Sequence, residues 1–136
     1  MKKILFAAFA AATLSAGASD APLWLRDVKI SPDGSRIAFT YKGDIFTVPA
    51  AGGEATRLTS QPSYEQVPVW SPDGKTIAFA SDRYGNFDIF TVAADGSSDT
   101  WKRLTFNSAA ETPEAFTPDG KEVLYSAAIR TRCSGS

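Results

Sequence analysis

The sequence predicts an all-β fold made of β-propeller blades, that is four-stranded antiparallel repeats, with two complete blades, part of a third, and an incomplete ring. Three observations carry this. A turn tetrapeptide occurs three times, as Ser31-Pro32-Asp33-Gly34, Ser71-Pro72-Asp73-Gly74 and Thr117-Pro118-Asp119-Gly120, at spacings of 40 and then 46 residues. Large apolar residues alternate after each turn, and Asp44-Ile45-Phe46-Thr47-Val48 returns as Asp88-Ile89-Phe90-Thr91-Val92. Self-similarity at such a period marks an architecture rather than a local motif.

The first strand of the first repeat is expected between Pro22 and Ile30, where Leu23, Trp24, Leu25, Val28 and Ile30 supply apolar side chains. It stops at a turn with a physical mechanism. Proline presets φ at the second position, Asp33 can bond the backbone ahead of it, and Gly34 accepts a positive φ. The strands on either side should meet as a hairpin.

After the turn, Ile37 and Phe39 alternate with Arg36, Ala38 and Thr40, the period of a strand. Ile77 and Phe79, then Val123 and Tyr125, stand at the same offsets, with Ala38, Ala78 and Leu124 between them. Both faces are apolar or small, as expected for a sheet with neighbours on each side. The third strands are the Asp-Ile-Phe-Thr-Val segments, ended by Ala51-Gly52-Gly53 and Ala94-Asp95-Gly96. Fourth strands should close on Arg57-Leu58-Thr59 and Arg103-Leu104-Thr105, each 14 residues before the next turn. Length varies only in turns, at 82–87 and beside Asp99 to Trp101.

A four-stranded sheet cannot bury both faces alone, and repeated sheets of this length solve the problem by radial stacking. A β-sandwich also uses short, regularly spaced strands. Repetition at a fixed period favours the propeller.

Residues 1–18 read as a secretory signal peptide: Lys2 and Lys3, an apolar run from Ile4 to Leu14, and Ala16-Gly17-Ala18 as the cleavage site. The apolar run is too short for a transmembrane helix, which needs roughly 20 residues. The expected organisation is therefore signal 1–18 and a partial propeller 19–129, with blade 1 about 22–60, blade 2 about 65–106, partial blade 3 about 112–129, and a non-repeat tail 130–136. Export to the periplasm or medium follows, with no membrane span after signal cleavage.

Composition excludes several chemistries within this chain. It has no histidine, which removes the commonest general base and metal ligand, and a single cysteine, Cys133, which has no partner for an internal disulfide. Its 14 basic and 15 acidic residues are interspersed, with no cationic stripe for phosphates, so no nucleic-acid partner is expected.

Several residues offer candidate chemistry beside a structural role. Asp33, Asp73 and Asp119 resemble a carboxylate set, yet their identical place between Pro and Gly assigns them to turn capping. Asp82, Asn86 and Asp88 offer oxygen ligands for calcium at loop spacing; without an EF-hand glycine and distal glutamate, a hairpin turn with Asp88 repeating the role of Asp44 is the stronger reading. Trp70, closing a first strand, fits packing between blades, while Trp24 and Trp101 are candidates for an aromatic ligand surface. Cys133 has no visible activator, and no Ser-Lys pair stands out. No catalytic, cofactor or metal residue is assigned.

The core from Trp70 to Phe79 and Ser81 to Ile89 resembles the propeller repeats of TolB, of tricorn-type peptidases and of prolyl oligopeptidase-related enzymes. Within that superfamily the chain is most similar to exported tricorn-like serine peptidases, through Ala21-Pro22-Leu23-Trp24-Leu25-Arg26, Tyr41-Lys42-Gly43-Asp44-Ile45 and Glu111-Thr112-Pro113-Glu114-Ala115-Phe116. TolB-like proteins place an α/β domain before the propeller, whereas here the first strand follows the cleavage site closely, which favours the tricorn branch. The resemblance implies a propeller that serves peptide access, docking or scaffolding while downstream PDZ and peptidase domains hold the serine nucleophile. Expected partners are the remaining blades and peptidase domains of a longer parent, and peptides or proteins. The alternatives are a TolB-like binding propeller without enzymatic activity and, weakened by the missing histidines, a polysaccharide lyase. Arg130 to Ser136 continues neither turn nor strand, so the tail reads as a truncation or frameshift, and marginal stability or self-association is expected of the isolated chain.

Overall fold

The computed structural model describes residues 24–98 and 100–128. The signal peptide, the non-repeat tail and Cys133 lie outside the described residues. Among the described residues, ten strands and no helix form three antiparallel sheets. The first holds β1 (Leu25–Ile30), β2 (Arg36–Tyr41), β3 (Asp44–Pro49) and β4 (Thr56–Arg57) in sequential order. The second repeats this with β5 (Glu65–Trp70), β6 (Thr76–Ser81), β7 (Asp88–Ala93) and β8 (Lys102–Arg103). The third pairs β9 (Glu111–Phe116) with β10 (Val123–Ala127).

The repeat governs register as well as order. Phe39 stands opposite Phe46 and Ile37 opposite Val48, just as Phe79 stands opposite Phe90 and Ile77 opposite Val92. Each Pro-Asp-Gly turn closes on a hydrogen bond from the glycine N–H to the carbonyl of Ser31, Ser71 or Thr117, at 2.9, 2.9 and 2.8 Å. The three glycines have φ of 74°, 68° and 71°, which any L side chain adopts at a cost. The fourth strands are shorter than the sequence suggested, two residues each. Leu58 and Leu104 nonetheless extend the pairing, their N–H groups donating to the carbonyls of Ile45 and Ile89 at 2.8 Å.

The sheets stack through successive first strands. β5 lies against β1, β2 and β3, and β9 lies against β5, β6 and β7. The second sheet is therefore covered on both sides, and β6 is buried along nearly its whole length. The core gathers Ala38, Ile45 and Leu58 of the first sheet with Trp70, Ile77, Phe79 and Phe90 of the second. Burying a phenylalanine of this kind stabilises by about 1.5–3 kcal/mol. Trp70 performs the packing role expected of it: it is 8% exposed, and its Nε1–H donates to the Lys29 carbonyl across the sheet boundary at 3.0 Å. Trp24, by contrast, is 60% exposed.

Every first strand carries a bulge at the same place. Two residues, Asp27-Val28, Val67-Pro68 and Pro113-Glu114, face a single partner on the second strand. Bulges increase twist and re-aim side chains, which suits strands that converge on a common axis.

Candidate functional site

The turn carboxylates are committed locally. Asp33 Oδ1 accepts from the Ser31 hydroxyl at 2.6 Å and the Ser35 N–H at 3.0 Å, and both of its oxygens accept from the Ser35 hydroxyl at 2.8 Å. The Ser31 hydroxyl, then the Ser35 N–H and hydroxyl, hold the carboxyl at about 2, below its ordinary 3.8. Asp73 is lowered by the Ser71 hydroxyl and the Lys75 N–H, and Asp119 by the Thr117 hydroxyl and the Lys121 N–H. These donors stabilise the ionised form, so the aspartates cap turns and are poorly suited to proton transfer.

The proposed calcium ligands diverge. Asp82 Oδ1 accepts from the Tyr64 N–H at 2.8 Å, while the Asn86 amide donates to the carbonyls of Asn107 and Ala109, each at 2.9 Å. Asp88 is buried and accepts from Arg103 Nη2 at 2.7 Å, repeating the 2.7 Å pair of Asp44 with Arg57. The three side chains thus tie together three different segments. Among the described residues, no group of three or more acidic or cysteine side chains is placed to hold a metal ion.

A buried cluster that the sequence reading missed lies beside them. Glu65 Oε1 accepts from Ser63 Oγ, from Ser81 Oγ at 3.1 Å and from Arg83 Nη2 at 3.1 Å. The Arg83 side chain is 7% exposed and its guanidinium lies 4.2 Å from the Trp101 ring centroid and 4.5 Å from that of Phe90. Trp101 therefore serves the interior as a lid over a charge rather than forming an open aromatic platform. A cavity of about 200 Å³ adjoins it, lined by Gln61, Pro62, Ser63, Arg83, Tyr84 and Trp101. The signal was present in the sequence: Glu65 and Glu111 both stand six residues before a turn, and both are fully buried. Glu111 is met by Asn107 Nδ2 at 2.6 Å, whereas the first repeat has Leu25 at this position.

A concavity of about 580 Å³ opens between the second and third sheets. Its floor includes Thr91, Lys102 and Leu104, and Phe116 and Val123 stand on its far wall. The equivalent space between the first and second sheets is filled. There Thr47 Oγ1 donates to the Ala94 carbonyl at 3.3 Å, and Gly96 sits so close that a Cβ on it would meet Thr56 Cγ2 at 2.8 Å. Thr47 and Leu58 are buried in consequence, while Thr91 and Leu104, their counterparts, are only partly covered.

Among the described residues no helix is long and apolar enough to cross a membrane. The family model for the tricorn protease N-terminal β-propeller domain matches residues 22–134. An uncharacterised protein of Agrobacterium fabrum is 36% identical over 101 residues, which cover 70% of this chain and 33% of that protein. Tricorn protease homolog 1 of Streptomyces coelicolor is 32% identical over 78% of this chain and 10% of its own length. An uncharacterised peptidase of Bacillus subtilis is 26% identical over 76% of this chain and 17% of its own. The chain thus spans a third or less of these relatives. Two solved structures are similar in fold with a TM-score of 0.63: a putative TolB from Agrobacterium tumefaciens, 32% identical, and TolB from Acinetobacter baumannii, 25% identical. The matched region covers 74% of this chain and 37% of the first, and 80% of this chain and 27% of the second.

Proposed function

This chain belongs to the tricorn protease N-terminal β-propeller family, and from that premise we propose that it is a non-catalytic propeller segment of an exported tricorn-like peptidase, serving peptide access, docking or scaffolding. One observation supports the reading above others. The turn aspartates and the buried Glu65 and Asp88 are engaged by donors that hold turns and strands, while a groove of about 580 Å³ opens between the second and third sheets. Such a surface binds and positions; the hydroxyl that meets a carboxylate in it, Ser71 on Asp73 at 2.6 Å, is engaged in closing a turn. Its natural partners are further propeller blades, the peptidase domains of a longer parent, and peptides or proteins.

The test has two arms. Purified full chain incubated with casein and with short peptides is expected to give no turnover, and cleavage above that of a mock purification would refute the non-catalytic reading. Sequencing the coding region downstream of Ser136 is expected to reveal PDZ and peptidase segments in some frame. A second reading, a TolB-like protein-binding propeller without enzymatic activity, is favoured by the likeness to the two TolB structures. Absence of peptidase coding downstream would select it over the first.

A further inference from the structure

We propose that the cavity of about 200 Å³ beside the Glu65–Arg83 cluster binds a proline-rich segment of a partner polypeptide in the polyproline II conformation, with Tyr84 and Trp101 as its aromatic contacts. This deepens the docking reading above and rests on it. The cavity lies where the connection from β4 to β5 passes the β6–β7 loop and the approach to β8. The two places at which the second repeat is longer than the first, 82–87 and beside Asp99 to Trp101, supply its Arg83, Tyr84 and Trp101. Loops carried on a rigid scaffold are where binding residues concentrate. The walls are fixed in advance. Next to Gln61-Pro62-Ser63, the Tyr64 N–H donates to Asp82 Oδ1 at 2.8 Å and the Glu65 N–H to the Gly43 carbonyl at 2.7 Å. Tyr84 is 54% exposed, yet its ring stacks on that of Phe90 with centroids 6.1 Å apart and carries the Arg103 guanidinium at 4.4 Å. An exposed ring already held in one place offers contact area with little ordering left to impose.

The chemistry of the walls specifies the occupant. Both guanidinium groups against these rings are matched by buried carboxylates, Arg83 by Glu65 at 3.1 Å and Arg103 by Asp88 at 2.7 Å, so the cavity does not select a charged ligand. The Ser63 hydroxyl is engaged by Glu65. What the lining offers is rings and donors: the Trp101 indole N–H, the Tyr84 hydroxyl and the Gln61 amide. A neutral partner with apolar rings, carbonyl acceptors and no N–H matches this set. Proline meets that description, since it lacks the backbone donor, and a run of prolines holds the polyproline II helix, whose carbonyls make no internal hydrogen bonds. Aromatic-lined grooves recognise such segments because the conformation is set before binding.

The test uses the full chain, isotope-labelled, titrated with a hexaproline peptide blocked at both ends. Saturable shifts are expected at the Trp101 indole N–H and at the backbone amides of Gln61, Ser63 and Tyr84, with no response to a glycine–serine peptide of equal length. The Tyr84→Leu chain is expected to bind hexaproline about fivefold more weakly, the share of one well-placed aromatic ring. Because that variant also disturbs the stack on Arg103, a second measurement leaves the protein unaltered: hexaproline built from D-proline, whose helix has the opposite hand, is expected to lose binding. No saturable shift at millimolar hexaproline, equal binding by the D-proline or glycine–serine peptide, or shifts away from Gln61 to Ser63, Tyr84 and Trp101 would each overturn the proposal. Saturation by chitotriose in place of hexaproline would overturn it as well, by identifying a sugar site. None of these outcomes bears on peptidase turnover or downstream coding, so the proline site can fail while the broader reading stands.

Discussion

Asp27 Oδ2 accepts a hydrogen bond from the Val67 backbone N–H at 3.2 Å, and the two residues occupy the same bulge position in successive first strands. The same oxygen accepts from the Thr40 hydroxyl at 3.3 Å. A bulge takes its residue out of the ladder, and a buried N–H left without a partner costs free energy. The carboxylate of one sheet supplies that partner to the next. Asp27→Ala is therefore expected to destabilise the chain by about 1–2 kcal/mol, read as a lower urea midpoint at unchanged slope. An unchanged midpoint would mean that the contact does not couple the sheets.

Val67 itself carries strain. Its φ is 53°, a left-handed conformation that is unusual for a β-branched residue, and Asp27 matches it at 52°. The third sheet has Pro113 at this place, whose ring forbids a positive φ. Left-handed backbone costs a non-glycine residue about 1–2 kcal/mol, against about 0.5–1 kcal/mol for the added unfolded-state freedom of glycine. Val67→Gly is expected to raise stability by about 0.5 kcal/mol. A fall of the denaturation midpoint would show that the side chain's packing outweighs its strain.

The Glu65 and Arg83 pair is expected to behave asymmetrically. Both are buried, and Glu65 Oε2 and Arg83 Nη1 have no hydrogen-bond partner among the described residues. Removing one member strands a charge in the interior, so Arg83→Met is expected to cost about 3–5 kcal/mol. Replacing both, as Glu65→Leu with Arg83→Met, is expected to recover most of that loss, because desolvation offsets much of what the pair contributes. A double-mutant cycle in urea checks this; a double variant as unstable as the two singles summed would contradict it.

These contacts mark where sequence reasoning stops. The turns, the register of the second and third strands in the two four-stranded repeats, and the interior role of Trp70 were legible because each rests on local chemistry or a fixed offset. The turn role of Asp33 was legible for the same reason, since its donors lie within two residues. The Glu65–Arg83 cluster was not, because its members belong to different strands and loops, and Trp101 joins it from beyond β7. Two glutamates at one offset were the available clue, masked by Leu25 in the first repeat. The groove was invisible for another reason: it is defined by Thr91 and Leu104 being less covered than Thr47 and Leu58, a difference of neighbours rather than of residues.

The turn aspartates are expected to contribute to the acid sensitivity of the fold. Asp33 is lowered from 3.8 to about 2, and Asp73, Asp95 and Asp119 are lowered in the same direction by hydroxyl and N–H donors. In the unfolded chain these carboxyls titrate near 3.9, so between that value and the folded one the unfolded state binds more protons. Their contribution is accordingly present above the unfolded value and is lost as the pH falls through each folded value, which for Asp33 is about 2. The thermal midpoint is expected to be insensitive to these groups above pH 5 and to fall steadily from pH 4 to pH 2. Asp33→Asn removes the ionisable group while keeping an acceptor oxygen. Its midpoint should therefore lie below that of the parent at pH 7 and approach it at pH 2. Two pH profiles that run parallel from 7 to 2 would show that the Ser31 and Ser35 donors do not favour ionised Asp33 in the folded chain.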